Sequence, residues 1–534
     1  MALTGTHSLG DTGRMADDNL RDVSINANTA AIAGKTTSAA AAAAAAALIA
    51  TEHDTERAYQ SSTYLSGTID TNYATLELAL AAIAVGGTLE VRGNWSRVLP
   101  FTVDKTCTVK FSRGASITTT VASAAGLRVV ANDVVLDAPR VFGTGSATAD
   151  TGTGITAVGT VGAPVTGMRI RAPKVQDFTK YGILLEQCAD FAIDKPRIDN
   201  IAYAGIMMLS CIGGNIDGGT VKNIVQPSGF TNSYGIAMTR DSSVDLTTAP
   251  RSSGITVNAV TVDGVPLWEG IDTHGGQNIT ITNNKVFNTF TGIALVSCPD
   301  PGAVNTYAAT GIVCTGNTVD AKVSDGSRGV GINLAGNAIE AANAIISGNT
   351  VIDHGSQATL ASSGAILADY TRGAVIAGNT IIRPGGSGIM VYSFNTGLIV
   401  AGNTIEDTWT DGQALTGSVF VRSTNNTLTV SGTRITRGAK TATLVNDRGL
   451  HIGTPTANVV IDGGGNDWTG TTTPVNGGTL VLKAGVYGAT PVVRAAAVTA
   501  PTAPSAAYVQ AEAAAMKTAV DAIRVALTAF GITS

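Results

Sequence analysis

A short apolar phrase, glycine followed by isoleucine, returns along the middle of the chain. It reads Gly182-Ile183-Leu184-Leu185, Gly205-Ile206-Met207-Met208, Gly235-Ile236-Ala237-Met238, Gly270-Ile271-Asp272-Thr273, Gly292-Ile293-Ala294-Leu295, Gly331-Ile332-Asn333-Leu334 and Gly388-Ile389-Met390-Val391. A second phrase runs out of phase with it: Thr282-Asn283-Asn284-Lys285-Val286, Thr315-Gly316-Asn317-Thr318-Val319, Ser347-Gly348-Asn349-Thr350-Val351, Ala377-Gly378-Asn379-Thr380-Ile381 and Ala401-Gly402-Asn403-Thr404-Ile405. The shortest steps between copies (182 to 205, 270 to 292, 379 to 403) are 22 to 24 residues, and longer steps read as one coil plus an inserted loop. A period in the low twenties with two to three strands per period predicts an all-β parallel β-helix solenoid. One coil cannot bury its own apolar face, but coils stacked about 4.8 Å apart share a continuous core.

Within a strand, alternate side chains point out of the coil. With each phrase isoleucine inward, the residues two and four after the glycine face outward. That column reads Leu184 and Glu186, Met207 and Leu209, Ala237 and Thr239, Asp272 and His274, Ala294 and Val296, Asn333 and Ala335, then Met390 and Tyr392. Its apolar members predict a face covered by loops or by a neighbouring subunit. The asparagines of the second phrase are expected to be structural, tolerating left-handed backbone and hydrogen-bonding to one another along the stack. Cys188, Cys211 and Cys298 each follow their phrase glycine by six residues. They predict equivalent buried positions, reduced rather than bridged.

Composition agrees with many short strands and tight turns: of 534 residues 63 are glycine, aromatics make 5% and charged residues 14%. A net charge of −5 gives no basic face for nucleic acid. The one long apolar run, Ala39 to Ala50, is mostly alanine and too short to span a bilayer, so neither membrane insertion nor a signal peptide is expected. Five scattered cysteines suggest neither a disulfide framework nor a zinc site, and no spacing predicts a metal or another cofactor.

Four segments follow. Residues 1–65 carry a thin alanine-rich heptad pattern (Leu20, Ala27, Gly34, Ala41, Leu48), readable as a weak coiled coil or a flexible linker. Residues 66–490 hold the repeat, and 491–504 form a linker with Pro501 and Pro504. In 505–534, Val509, Ala513, Met516, Val520, Ile523, Leu527 and Phe530 alternate steps of four and three. A helix this short is marginal alone, which favours zipping with copies of itself into a homotrimer.

One rung concentrates candidate chemistry: Trp268-Glu269-Gly270-Ile271-Asp272-Thr273-His274 combines an aromatic, two carboxylates and one of five histidines. Asp272 beside His274 can orient a general base, and Glu269 can supply a second carboxylate. That combination suits β-elimination or glycoside hydrolysis, with Trp268 stacking on a sugar. The same residues also suit a merely hydrogen-bonded turn. Glu186 lies three phrases away, about 14 Å along the stack, too far to join them. Asp369, Tyr370 and Arg372, and further on Glu406, Asp407, Trp409 and Asp411, form polar turns that with Tyr392 could line a glycan groove.

The pattern as a whole resembles the pectin-lyase-like right-handed β-helix superfamily, particularly phage tailspikes and tail fibres. Ala74 to Leu80 followed by Gly86-Gly87-Thr88-Leu89-Glu90-Val91 resembles the helix-then-strand cap at which such spikes begin. Gly10-Asp11-Thr12-Gly13 with Asp18-Asn19, and the closing helix, are similar to minor tail proteins of actinobacterial phages. The resemblance implies an intertwined homotrimer in the virion tail, attached to tail or baseplate proteins through its N-terminus and contacting a host surface polysaccharide. Members of the superfamily include binders, lyases and hydrolases, so a depolymerase and a secreted pectinase-like enzyme remain as alternatives.

Overall fold

The computed structural model describes residues 61–65, 68–300, 306–321, 329–355, 364–406, 417–422, 426–436, 448–453, 458–468, 471, 473–477 and 480–482, together with 518 and 520–522. The chain divides into two compact units, Met1–Thr479 and Leu480–Ser534. In the second, strand Leu480–Leu482 and helical residues 518 and 520–522 are described. The N-terminal heptad, the proline linker and most of the C-terminal seam lie outside the described residues.

The first unit is built from coils of three strand segments. One coil runs Cys188–Asp194, Arg197–Ile201 and Ala204–Leu209, and the next begins at Ile212–Asp217. The first segment of each coil enters one sheet, and the second and third enter another of 25 strands. From Thr88–Val91 onward each strand pairs in parallel with its equivalent one coil away, as in Ile183↔Ile206 and Asp194↔Asp217. Parallel crossovers of this kind wind right-handed, giving the right-handed parallel β-helix that the phrase spacing predicts.

The phrase isoleucines form one inward column, Ile183, Ile206, Ile236, Ile271 and Ile293, continued by Ile332, Ile366 and Ile389, all fully buried. Burying each contributes about 1.5–3 kcal/mol. Their glycines are needed because the corner leaves no room. A Cβ on Gly270 would stand 2.5 Å from a Val286 methyl and 2.7 Å from the Gly292 carbonyl oxygen.

The asparagines stack as expected. Asn284, Asn317, Asn349 and Asn379 each donate Nδ2–H to Oδ1 of the next asparagine, ending at Asn403, at 2.9–3.0 Å. Each acceptor also takes the preceding asparagine's backbone N–H, so a buried turn has its donors satisfied. The left-handed backbone, however, sits one residue earlier, on Gly316, Gly348, Gly378 and Gly402 (φ 62–66°) and on Asn283 (φ 56°). The division of labour is physical: glycine takes the conformation without Cβ strain, which frees asparagine to face inward. All five cysteines are buried and unbridged.

Helix Leu76–Ala82 closes the start of the solenoid, burying Leu76, Ala79 and Leu80. Thr75 caps it by accepting the Leu78 N–H. Strand Ser61–Leu65 pairs antiparallel with Thr88–Val91, covering an edge that would otherwise template further pairing. No helix among the described residues is long and apolar enough to cross a membrane.

Candidate functional site

The second and third segments of one coil fuse into a single strand, Thr261–His274. Its register against Lys285–Val296 slips between Val265 and Glu269: those two residues oppose Thr289 and Thr291. The extra residues protrude as a bulge that leaves Leu267 exposed and Trp268 36% exposed. Bulges re-aim the side chains beside them. Here Glu269 turns back against the solenoid wall, only 8% exposed, beside Tyr234 of the preceding coil and Thr291 of the next.

Asp272 sits in the outward column between Ala237 and Ala294, yet it is 0% exposed. The sequence places it facing solvent. The orientation holds, but the side chains around it close over it. Asp272 Oδ2 lies 2.7 Å from His274 Nδ1, and the His274 side chain remains 27% accessible. One carboxylate oxygen each of Glu269 and Asp272 and a ring nitrogen of His274 all fall within 4.8 Å of one another, close enough to share protons or to meet at a common cation.

Burial dominates the electrostatics. Burial and the Asp272 charge hold the Glu269 carboxyl up to about 8, against the pull of His274 and a hydrogen bond from Trp268. Burial also raises Asp272, opposed by His274. For His274, burial favours the neutral ring, but Asp272 and then Glu269 outweigh it and lift the imidazole to about 9. At neutral pH Glu269 is therefore largely protonated and His274 is an imidazolium held on Asp272. The cluster can donate protons and hold a positive edge towards solvent, but it is a poor base.

A stability prediction follows. Both Glu269 and His274 are raised above their unfolded values, so their stabilising contribution is complete below those values (4.5 and 6.5) and is lost as pH climbs through about 8 and 9. Calorimetric melting temperature should fall from pH 6 to pH 9, and Glu269→Gln should flatten the fall up to about pH 8. An unchanged slope in the variant would contradict the burial of an ionisable Glu269.

Beside this cluster an aromatic ladder climbs the outward face. Ring centroids of Tyr181 and Tyr203 are 5.7 Å apart, those of Tyr203 and Tyr234 5.6 Å, and those of Tyr234 and His274 6.1 Å, all edge-to-face. Phe230 lies 4.9 Å from Tyr203. Tyr234 is buried with Met207 and Ala237, whereas Tyr181 and Tyr203 keep exposed edges. This ladder packs on the outward residues Leu184, Met207, Leu209 and Ala237 from within the same chain, whereas Met390 is buried further along with Leu367 and Phe420. Sequence reasoning missed it, although a tyrosine stands one or two residues before three of the phrase glycines (Tyr181-Gly182, Tyr203-Ala204-Gly205, Tyr234-Gly235).

The loops behind the cluster are pinned by two cations on one ring, Arg240 buried and Arg251 half-buried. The guanidinium carbons of Arg240 and Arg251 lie 5.5 and 5.2 Å from the Tyr307 ring centroid. Arg240 donates to Tyr307 Oη at 2.6 Å and to the Ala249 carbonyl at 2.6 Å, while Arg251 donates to both oxygens of Glu340 and to the Gly275 carbonyl. Gly275 follows His274 directly, so this clamp fixes the histidine's neighbourhood.

The other residues singled out from sequence form a separate group. Asp369 shares the His274 column through Val296 and Ala335, three coils or about 14 Å away. Its carboxylate accepts the Ser393 N–H, and burial lifts it to about 6 against that bond. Tyr370 packs on Phe394, centroids 4.7 Å apart, and Arg422 lies over Tyr392. Trp409 lies outside the described residues, as do Asp407 and Asp411.

A family described as "right handed beta helix region" matches residues 153–365 and 269–463. No curated protein matches the chain. Among solved structures, the catalytic unit of an α-1,3-glucanase from Streptomyces thermodiastaticus is 17% identical with a TM-score of 0.43; the match covers 73% of this chain and 64% of that one, less than two thirds of its length. The receptor-binding protein of bacteriophage Det7, a podoviral tailspike in a myovirus, is 12% identical at a TM-score of 0.42, over 79% of this chain and 76% of that one. The receptor-binding domain of the siphovirus 9NA tailspike is 12% identical at 0.44, over 79% and 77%.

Proposed function

The chain belongs to the right-handed β-helix family, and from that premise we propose that it is a viral tail fibre or tailspike that binds a bacterial surface polysaccharide. The observation that carries this reading is the ladder of Tyr181, Tyr203, Phe230 and Tyr234 running along the coil stack beside a proton-donating Glu269 and His274. Aromatic side chains offer an apolar face and a polar rim at low entropic cost, which suits sugar rings carrying both C–H faces and hydroxyls. Protonated Glu269 and His274 supply donors for hydroxyl or carboxyl oxygens at the end of the ladder. In this reading the protein works as a homotrimer within the virion tail and attaches to tail or baseplate proteins through its N-terminal segment. Trp268, Tyr370, Tyr392, Asp369 and Trp409 extend the glycan contact.

A second reading, polysaccharide depolymerase, is favoured by one feature: a pair of neighbouring carboxyls of which one, Glu269, is held at about 8 and so can serve as a general acid at neutral pH. There Glu269 acts as acid, while Asp272 orients His274, because a fully buried carboxylate touches no substrate.

The test is to titrate purified protein against immobilised capsule or cell-wall polysaccharides and to follow new reducing ends and unsaturated-uronate absorbance in parallel. Saturable binding without product supports the binder. Product that disappears in both Asp272→Ala and His274→Ala supports the depolymerase. Absence of saturable binding to every bacterial surface glycan tried overturns both.

A further inference from the structure

The first sheet of the solenoid changes character along its length. Its outward positions come in two columns that can be followed coil by coil. The first half of one column reads Glu90, Lys110, Asp137, Arg171, Asp194 and Asp217, a run of charges that largely alternate in sign. The same column then continues as Asn258, Thr282, Thr315, Ser347, Ala377, Ala401 and Ser431. The second column makes the same turn: after Arg169, Ala192, Asn215, Thr256 and Thr280 it becomes Val313, Ile345, Val375 and Ile399. From Thr256 to Ser431 neither column contains an ionisable side chain. Ile345 and Ile399 are 47% and 42% exposed.

A sheet face left to water carries polar outward residues, and contiguous apolar stripes on a surface mark a contact. The stripe here is aliphatic and spaced at one side chain per coil, about 4.8 Å. Small residues (Ser347, Ala377, Ala401) flank it and allow close approach. We propose that this face, centred on Val313, Ile345, Val375 and Ile399, docks against the same face of further copies of this chain, with the solenoid axes parallel around a common symmetry axis. The inference rests on the homotrimer reading above and assigns it a surface.

Two features select a second copy as the occupant. Seating every aliphatic side chain at once requires a partner with the same coil spacing, and a parallel copy has that spacing by construction. Electrostatics point the same way. A residue on a symmetry axis meets its own equivalents, so a charge there meets a like charge. The stretch from Thr256 to Ser431 imposes no such cost.

The experiment is sedimentation velocity on the full chain, wild type and Ile345→Glu/Ile399→Glu. Both side chains point away from the core, so glutamate there leaves the coil interior untouched; an unchanged β-sheet circular dichroism spectrum verifies this. The wild type should sediment as three copies, and the double variant should shift to single copies at the same concentration, at least tenfold weaker in association. As a second measurement, Ile399→Cys should crosslink chain to chain under mild oxidation, because the five native cysteines are all buried. Lys222→Cys, exposed on the other sheet, should not. A three-copy wild type whose double variant stays three-copy, with Ile399→Cys uncrosslinked, overturns the assignment of this face and means that another segment or partner covers it. A single-copy wild type removes the trimer itself. Polysaccharide binding, read separately, then decides whether the receptor-binding function stands.

Discussion

Replacing Asp272 with alanine should lower the stability of its part of the solenoid by about 3 kcal/mol, the lower end of what removal of one partner from a buried ion pair costs. Asp272 is wholly buried between Ala237 and Ala294, and its Oδ2 is the partner of His274 Nδ1 at 2.7 Å. Without it the imidazolium loses its counter-charge while the desolvation that disfavours its charge remains. The effect falls at the lower end because the His274 side chain keeps 27% of its surface in water, which offsets part of the lost partner. Two readouts follow. Proton NMR of His274 should show its titration falling from about 9 towards or below the ordinary histidine value of 6.5, and the urea midpoint should drop. Asp245→Ala, at an exposed turn closed by Thr247 and Thr248, serves as control. A His274 titration that stays near 9 in the Asp272→Ala chain would show that the pair does not set it.

Tyr203→Ala should weaken polysaccharide binding by about 30-fold, equivalent to about 2 kcal/mol. Tyr203 is the middle of the ladder, in ring contact with Tyr181, Tyr234 and Phe230 at once. Its loss removes one stacking surface and the packing that holds the other three rings in place. Tyr203→Phe keeps the ring and should retain most of the affinity, which separates stacking from the hydroxyl. Tyr370→Ala, in the group three coils away, should have the smaller effect. Surface plasmon resonance against the polysaccharide that binds wild type measures all three. Equal affinity for Tyr203→Ala and wild type would place the glycan elsewhere.

Much of this architecture is legible in the sequence because a solenoid writes its geometry as a period. The inward isoleucines, the asparagine stack and the equivalent cysteines all follow from spacing, since residues one coil apart occupy the same environment. The pairing of Asp272 with His274 is legible for the same reason: two residues on one strand, two apart, share a face. What spacing does not encode is cover. Asp272 points outward, as its position dictates, yet it is wholly buried, set between Ala237 and Ala294 of the adjoining coils and paired with His274. Whether an outward residue meets water depends on these contacts, not on alternation. The tyrosines before the phrase glycines carried a signal that a search limited to the isoleucine side passes over. The clamp of Arg240 and Arg251 on Tyr307 had none, because its members come from separate loops joined only in space.

The raised Glu269 and His274 also bear on the choice between binder and enzyme. A base for β-elimination must be unprotonated at working pH, and an imidazole held at about 9 is not. Donors are what the site offers at neutral pH, and donors serve recognition directly.

The account therefore turns on where a polysaccharide lies on this molecule. Hydroxyl-radical footprinting of the full chain, with and without a saturating bacterial surface polysaccharide, measures this residue by residue. Protection of Tyr181, Tyr203, Phe230 and Trp268, with Ile345 and Ile399 unchanged by the glycan, is the predicted result. Unchanged reactivity along the tyrosine ladder, with protection confined to another face, would contradict it.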